Sequence, residues 1–172
     1  MTAGSKCGLS HRNYTTLLVN PMEITHQIDI HAPLELVMAQ FSTESGRQCR
    51  MPGLLESELH EGAAGQGGAV SQLKFKMGGR YMLMRETILE NQLPICWKAR
   101  YESGRTVHFT TVRIEKSGSG TSRYCITQDF EFKGVMRLLS FLLKSTFSKT
   151  LLQTAQRFKE FAEGVYHEQQ AS

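Results

Sequence analysis

The sequence predicts an α+β fold: a curved antiparallel sheet of about seven strands wrapped around a long C-terminal helix, with two short helices after strand one. Two periodicities and one interruption carry that reading. Between residues 24 and 132 apolar side chains recur with a period of two, in runs separated by Gly, Pro, Asn and Ser. That is the pattern of half-buried strands joined by turns. After Gly134 the spacing becomes three and four and stays so to Gly164, which describes an amphipathic helix. The interruption is Ala32-Pro33, which ends the first strand and opens a short helical stretch.

Ile24, His26, Ile28 and Ile30 share one face of the first strand, opposite Thr25, Gln27, Asp29 and His31. Pro33 suits a first helical turn, where its missing N–H costs nothing. Leu34, Val37, Met38 and Phe41 then repeat at helical spacing. Gly46 is expected to break this helix, and a short irregular or helical piece leads to Pro52-Gly53. Leu55, Ser57 and Leu59 alternate with Glu56, Glu58 and His60, and Gly62, Gly65, Gly67 and Gly68 crowd the next loop. Leu73, Phe75 and Met77 mark a further strand, and Gly78-Gly79 signals a tight hairpin. The return strand runs from Arg80 to about Glu90.

Trp97, Ala99 and Tyr101 set one face of the following strand. Val107 and Phe109 share a parity that Val112 and Ile114 oppose, so a β-bulge is expected near Thr110-Thr111. Tyr124, Ile126, Gln128, Phe130 and Phe132 line the last strand. The helical stripe is Met136, Leu139, Leu143, Phe147, Leu151, Thr154, Phe158 and Phe161. About 30 residues at 1.5 Å each span roughly 45 Å, enough to cross an entire sheet.

The chain has 172 residues and a formal charge of +4, with its lysines and arginines dispersed among acidic residues. One domain over residues 22–166 is expected, preceded by a polar, unpatterned extension over 1–21 and followed by a tail over 167–172. A scattered mild charge argues against nucleic acid. Cys7, Cys49, Cys96 and Cys125 show no metal-binding spacing, so they read as idle thiols in the cytoplasm, with no cofactor or metal expected. No stretch reaches the roughly 18 apolar residues of a membrane span.

Several local motifs give the element order a family likeness. Ile28-Asp-Ile-His-Ala-Pro33 with Leu36-Val37, Met51-Pro-Gly-Leu54, Leu73-Lys-Phe-Lys-Met-Gly-Gly79 and Phe158-Lys-Glu-Phe-Ala-Glu163 resemble the START-like helix-grip superfamily (SRPBCC), in particular a bacterial polyketide cyclase/dehydrase-like branch. Cys49, Arg50 and Met51 replace a tryptophan frequent there, so no contact of that tryptophan carries over. The resemblance implies an internal cavity for an apolar molecule.

The residues expected to line such a cavity are Phe75, Met77, Trp97, Tyr101, Tyr124, Gln128 and Phe130, unless they only pack the core. Gln128, between Ile126 and Phe130, must bond a ligand, a water or a neighbouring strand. His26 is a ligand or proton-transfer candidate against the commoner satisfied core histidine. On the Tyr81–Glu90 strand an inward Arg85 would suit a carboxylate, and an inward Glu86 a proton transfer. A twisted strand would let both charges reach water, and that is the favoured reading.

Binding of a lipid-like, polyketide-like or aromatic molecule, for carriage or sequestration, is therefore expected. The alternative is a cyclase or aromatase using His26, Arg85, Glu86, Tyr101 and Gln128. A protein-interaction module with a shrunken cavity is a third reading. The segment Val135–Leu143 is apolar nearly all round, which suits burial, a homodimer contact or transient membrane contact.

Overall fold

The computed structural model describes residues 22–104, 106–132 and 136–171, apart from the side chains of 136–142. Strand β1 (Met22–Ile30) leads into α1 (Leu34–Ser42) and α2 (Glu44–Arg50). Six strands follow: β2 (Leu54–Glu61), β3 (Val70–Met77), β4 (Arg80–Gln92), β5 (Cys96–Ser103), β6 (Thr106–Gly118) and β7 (Thr121–Phe132). Helix α3 (Met136–Ala171) closes the chain. The strands form one antiparallel sheet in the order β1-β7-β6-β5-β4-β3-β2. This is the helix-grip architecture.

Gly78 and Gly79 take positive φ values of 54° and 80° in the β3–β4 hairpin, as a two-residue turn matched to strand twist requires. Gly46 does not break α1 as expected. That helix ends at Ser42, and Thr43 caps α2 by accepting a 3.0 Å hydrogen bond from the Gly46 N–H. Gly46 is needed for proximity, because a Cβ there would lie 1.9 Å from the Gln40 carbonyl oxygen. The two short helices are thus folded tightly on each other.

Two strand readings change. β2 is a sheet edge, exposed along nearly its whole length, with register shifts at both ends. Leu55 and Leu59 therefore face solvent. The bulge expected near Thr110-Thr111 does not occur, because β6 keeps register with β5 and β7 from Thr106 through Val112. His108, Thr110, Val112 and Ile114 then share the inner face. Polar residues on a buried face had mimicked a change of parity.

The core is densest where α3 crosses β1 and β7. Phe158 is 0% exposed, with its ring centroid 5.9 Å from Phe41 and 5.2 Å from Tyr124. Phe41 in turn meets Trp97 edge to face at 5.4 Å, a favoured aromatic geometry. Polar straps fix the same region. The Lys159 ammonium donates to the Asp29 carbonyl at 2.6 Å, and Glu163 Oε1 accepts from the His31 N–H at 2.7 Å.

Cys49 and Cys125 are free thiols, whereas Cys96 is disulfide-bonded, which corrects the expectation of four idle thiols. Among the described residues no helix is long and apolar enough to cross a membrane. Residues 1–21 and the side chains of Val135–Leu142 lie outside the described residues, so neither the tail nor the apolar-segment expectation is addressed.

Candidate functional site

Between the inner face of the sheet and the first half of α3 lies a cavity of about 210 Å³. Its apolar wall contains Met51, Met77, Met82 and Met84 with Phe75, Trp97 and Phe147. Methionine is flexible and polarizable, so such a wall adapts to differing shapes. Polar groups lie on two sides: His108, Thr110 and Gln128 on β6 and β7, Thr150 and Thr154 on α3. Arg50, Pro52, Tyr101, Val112, Tyr124, Ile126 and Leu151 complete the lining.

Register explains how these groups meet. One cross-strand row joins Ser71, Glu86, Tyr101, His108, Phe130 and Met22. Directly opposed residues share a face, so a buried carboxylate, a phenol and an imidazole stand side by side. Tyr101 Oη donates to Glu86 Oε1 at 2.8 Å, and Arg47 Nη2 donates to Glu86 Oε2. Glu86 is 2% exposed, and a carboxylate buried that deeply requires such partners. Burial, reinforced by the charge of Glu86, raises the Tyr101 phenol well above its ordinary value.

His108 is stacked between Tyr101 at 4.8 Å and Phe130 at 5.2 Å. Burial lowers its pKa to about 4, so the imidazole is neutral at physiological pH. Burial also raises the Tyr124 phenol to about 12. The polar lining is therefore uncharged at neutral pH, except at Arg50.

Of the residues singled out from sequence, Phe75, Met77, Trp97, Tyr101, Tyr124 and Gln128 border the cavity. Met77 is 56% exposed and stands at its rim. Gln128 bonds a neighbouring strand, its amide donating to Thr110 Oγ1 at 3.3 Å. Phe130 lies beside the lining, packed on His108 and Phe147.

His26 is held elsewhere. Its Nε2 donates to the Ser148 carbonyl at 3.0 Å and lies 2.9 Å from Ser148 Oγ, which ties β1 to α3. Arg85 points outward with its side chain 54% exposed, 3.9 Å from Glu61. The reading that sent both Arg85 and Glu86 to water is thus wrong for Glu86. Because β4 is regular there, its two charges take opposite faces.

Sequence reasoning missed His108, Thr110, Arg50, Thr150 and the methionines of β4. His108 and Thr110 were hidden by the imagined bulge. Arg50 lies on α2, outside any alternating pattern.

The profile of the polyketide cyclase / dehydrase and lipid transport family matches residues 21–163. The chain belongs to that family. No curated protein matches it by sequence.

Solved structures share its fold at low identity. A START superfamily protein from Mycobacterium smegmatis superposes with a TM-score of 0.65 at 12% identity, over 83% of this chain and 98% of that one. The Zhui aromatase/cyclase from Streptomyces sp. R1128 gives 0.62 at 14%, over 83% and 94%. Norcoclaurine synthase from Thalictrum flavum, solved with dopamine and hydroxybenzaldehyde, gives 0.61 at 15%, over 82% and 86%. Family and fold together are those of a hydrophobic-ligand-binding helix-grip domain, some of whose relatives are cyclases.

This member of the family has a second, more polar cavity of about 490 Å³ under α2, β2 and the β2–β3 loop. Its lining includes Glu44, Arg47, Gln48, Glu86 and Asn91. Arg50, Met51 and Trp97 border both cavities, so these three side chains form the partition. Among the described residues, no group of three or more His, Cys, Asp or Glu is arranged to hold a metal ion.

Proposed function

We propose that the protein binds one compact apolar molecule in the apolar cavity of about 210 Å³ and carries or sequesters it. The molecule is an aromatic ring with a short substituent, or a lipid-like or polyketide-like fragment of that size. The observation that carries this reading is the cavity: about 210 Å³, walled by methionines and aromatic rings. A cavity of roughly 150 Å³ holds benzene, so there is room for one ring and a few further atoms. The hydroxyls and amides that border it would orient the guest rather than react with it. Several are already engaged within the protein, Gln128 with Thr110 and the Thr150 hydroxyl with the Thr146 carbonyl.

Trp97 is the one tryptophan of the chain and borders the cavity, so its emission should report occupancy. Native mass spectrometry after incubation with a cell extract and with a graded series of phenols, naphthols and fatty acids should show one apolar molecule retained per chain. Single-ring compounds should bind best. If no compound is retained and Trp97 emission never changes, the reading is wrong.

The neutral His108 beside the Tyr101–Glu86 hydrogen bond favours one second reading, a cyclase or aromatase in which His108 takes a proton from a folded chain. Against it stand the reluctance of Tyr101 to ionise and the distance in the fold of His26 and Arg85 from the cavity. Conversion of a linear poly-β-keto thioester mimic by the protein, abolished in His108→Gln, would establish that activity. No conversion above background would leave binding as the cavity's function.

A further inference from the structure

The partition between the two cavities holds an electrostatic imbalance. Arg50 donates from Nη2 to the Phe41 carbonyl at 2.8 Å and lays its guanidinium 3.5 Å from the centre of the Phe41 ring. These contacts position the side chain, but neither supplies a negative charge. Among the described residues Arg50 forms no ion pair. The buried carboxylate on this side of the sheet, Glu86, is engaged by Arg47 and Tyr101. The Arg50 Nε–H is buried with no acceptor. A partly buried cation with no counter-ion and a buried orphan donor is costly unless something completes it.

Resting on the binding role proposed above, we propose that Arg50 is the anchor for a carboxylate on the apolar molecule held in the methionine-lined cavity. The ring or chain occupies the methionine-lined space, and the carboxylate lies against the guanidinium where Arg50 borders the cavity at the partition. A single uncompensated positive charge matches a singly charged planar anion. A phosphate dianion would exceed it, with Glu44 and Glu86 bordering the neighbouring cavity. The preferred ligand class is thus small aryl- or alkyl-carboxylic acids over their neutral analogues.

The test compares 3-phenylpropionate with its neutral isostere 3-phenylpropanamide, by calorimetry and Trp97 emission on the full chain. The acid should bind about ten-fold or more tightly, as a charge-assisted hydrogen bond predicts. Arg50→Met should bring the two affinities together by weakening the acid alone, and Arg50→Lys, which keeps the charge but loses the planar fork and the stacking on Phe41, should retain only part of the preference. If the amide binds as well as the acid to the unaltered protein, Arg50 is no anion anchor, although the cavity reading survives. Binding of neither probe removes both proposals. Equal loss of acid and amide in Arg50→Met makes Arg50 a structural clasp on α1 and overturns the inference. Should Arg50→Met fail to fold, the acid–amide ratio in the unaltered protein and in Arg50→Lys still decides.

Discussion

Helix α3 meets the sheet in two different ways. Over β1 and β7 its second half is locked: Phe158 interleaves with Phe41 and Tyr124, and Lys159 and Glu163 bond the end of β1. Over β3 to β6 its first half faces a void, with Phe147, Thr150, Leu151 and Thr154 across from His108, Thr110 and Met84. The alternation of the strands is the same in both regions. What differs is the filling. Large rings are in close contact on one side, whereas on the other methionines and threonines stand among the rings and leave volume unoccupied. One side therefore carries the stability that lets the other stay open.

The largest test of that contrast is Phe158→Ala. Removing a fully buried aromatic ring should cost about 3–5 kcal/mol, read by chemical denaturation. Truncating Met84, which already borders empty space, should cost clearly less. Equal costs would mean that the two regions are packed alike.

The next effect is in pH. His108 has a folded pKa near 4 against an ordinary value of about 6.5. Between those values the unfolded chain binds a proton that the folded chain does not, so stability should fall as pH drops from about 6.5 towards 4. The loss by pH 4 is about 3 kcal/mol. His108→Phe keeps the stacked ring and removes the titration. Its stability curve should be flatter over that window, and an unchanged slope would remove His108 as the cause.

A smaller change is expected on filling the void. Thr154→Phe should shift stability by no more than ~1–2 kcal/mol yet weaken binding of a single-ring ligand by an order of magnitude. If binding persists at full strength, the ligand does not occupy this cavity.

The smallest effect lies on the locked side. Burial opposes ionisation of Glu163, but the His31 N–H and side chain and Lys159 outweigh it and hold the carboxyl below its usual range. Its contribution should be present at neutral pH and fade as pH falls through the folded value. Glu163→Gln should remove that dependence at a cost of about 1 kcal/mol or less, without altering ligand affinity.

The order of the elements was legible in the sequence because each rests on a local signal. The period of two from Ile24 to Phe132, the glycine pair at 78–79 and the period of three to four after Gly134 all report burial of one face of one segment. Trp97, Tyr101, Tyr124 and Gln128 were found for the same reason, since each sits on such a face. The rest depended on partners far away in the chain. Which of Arg85 and Glu86 turns inward was decided by pairing with Tyr101 on β5, and His108 was placed by its register with Phe130 on β7. The unbalanced charge of Arg50 exists only because α2 folds back over Phe41 and Trp97. Periodicity encodes which side of a segment is buried. What it is buried against, and whether a charge there finds its opposite, is a property of distances between segments, and only the tertiary structure decides those.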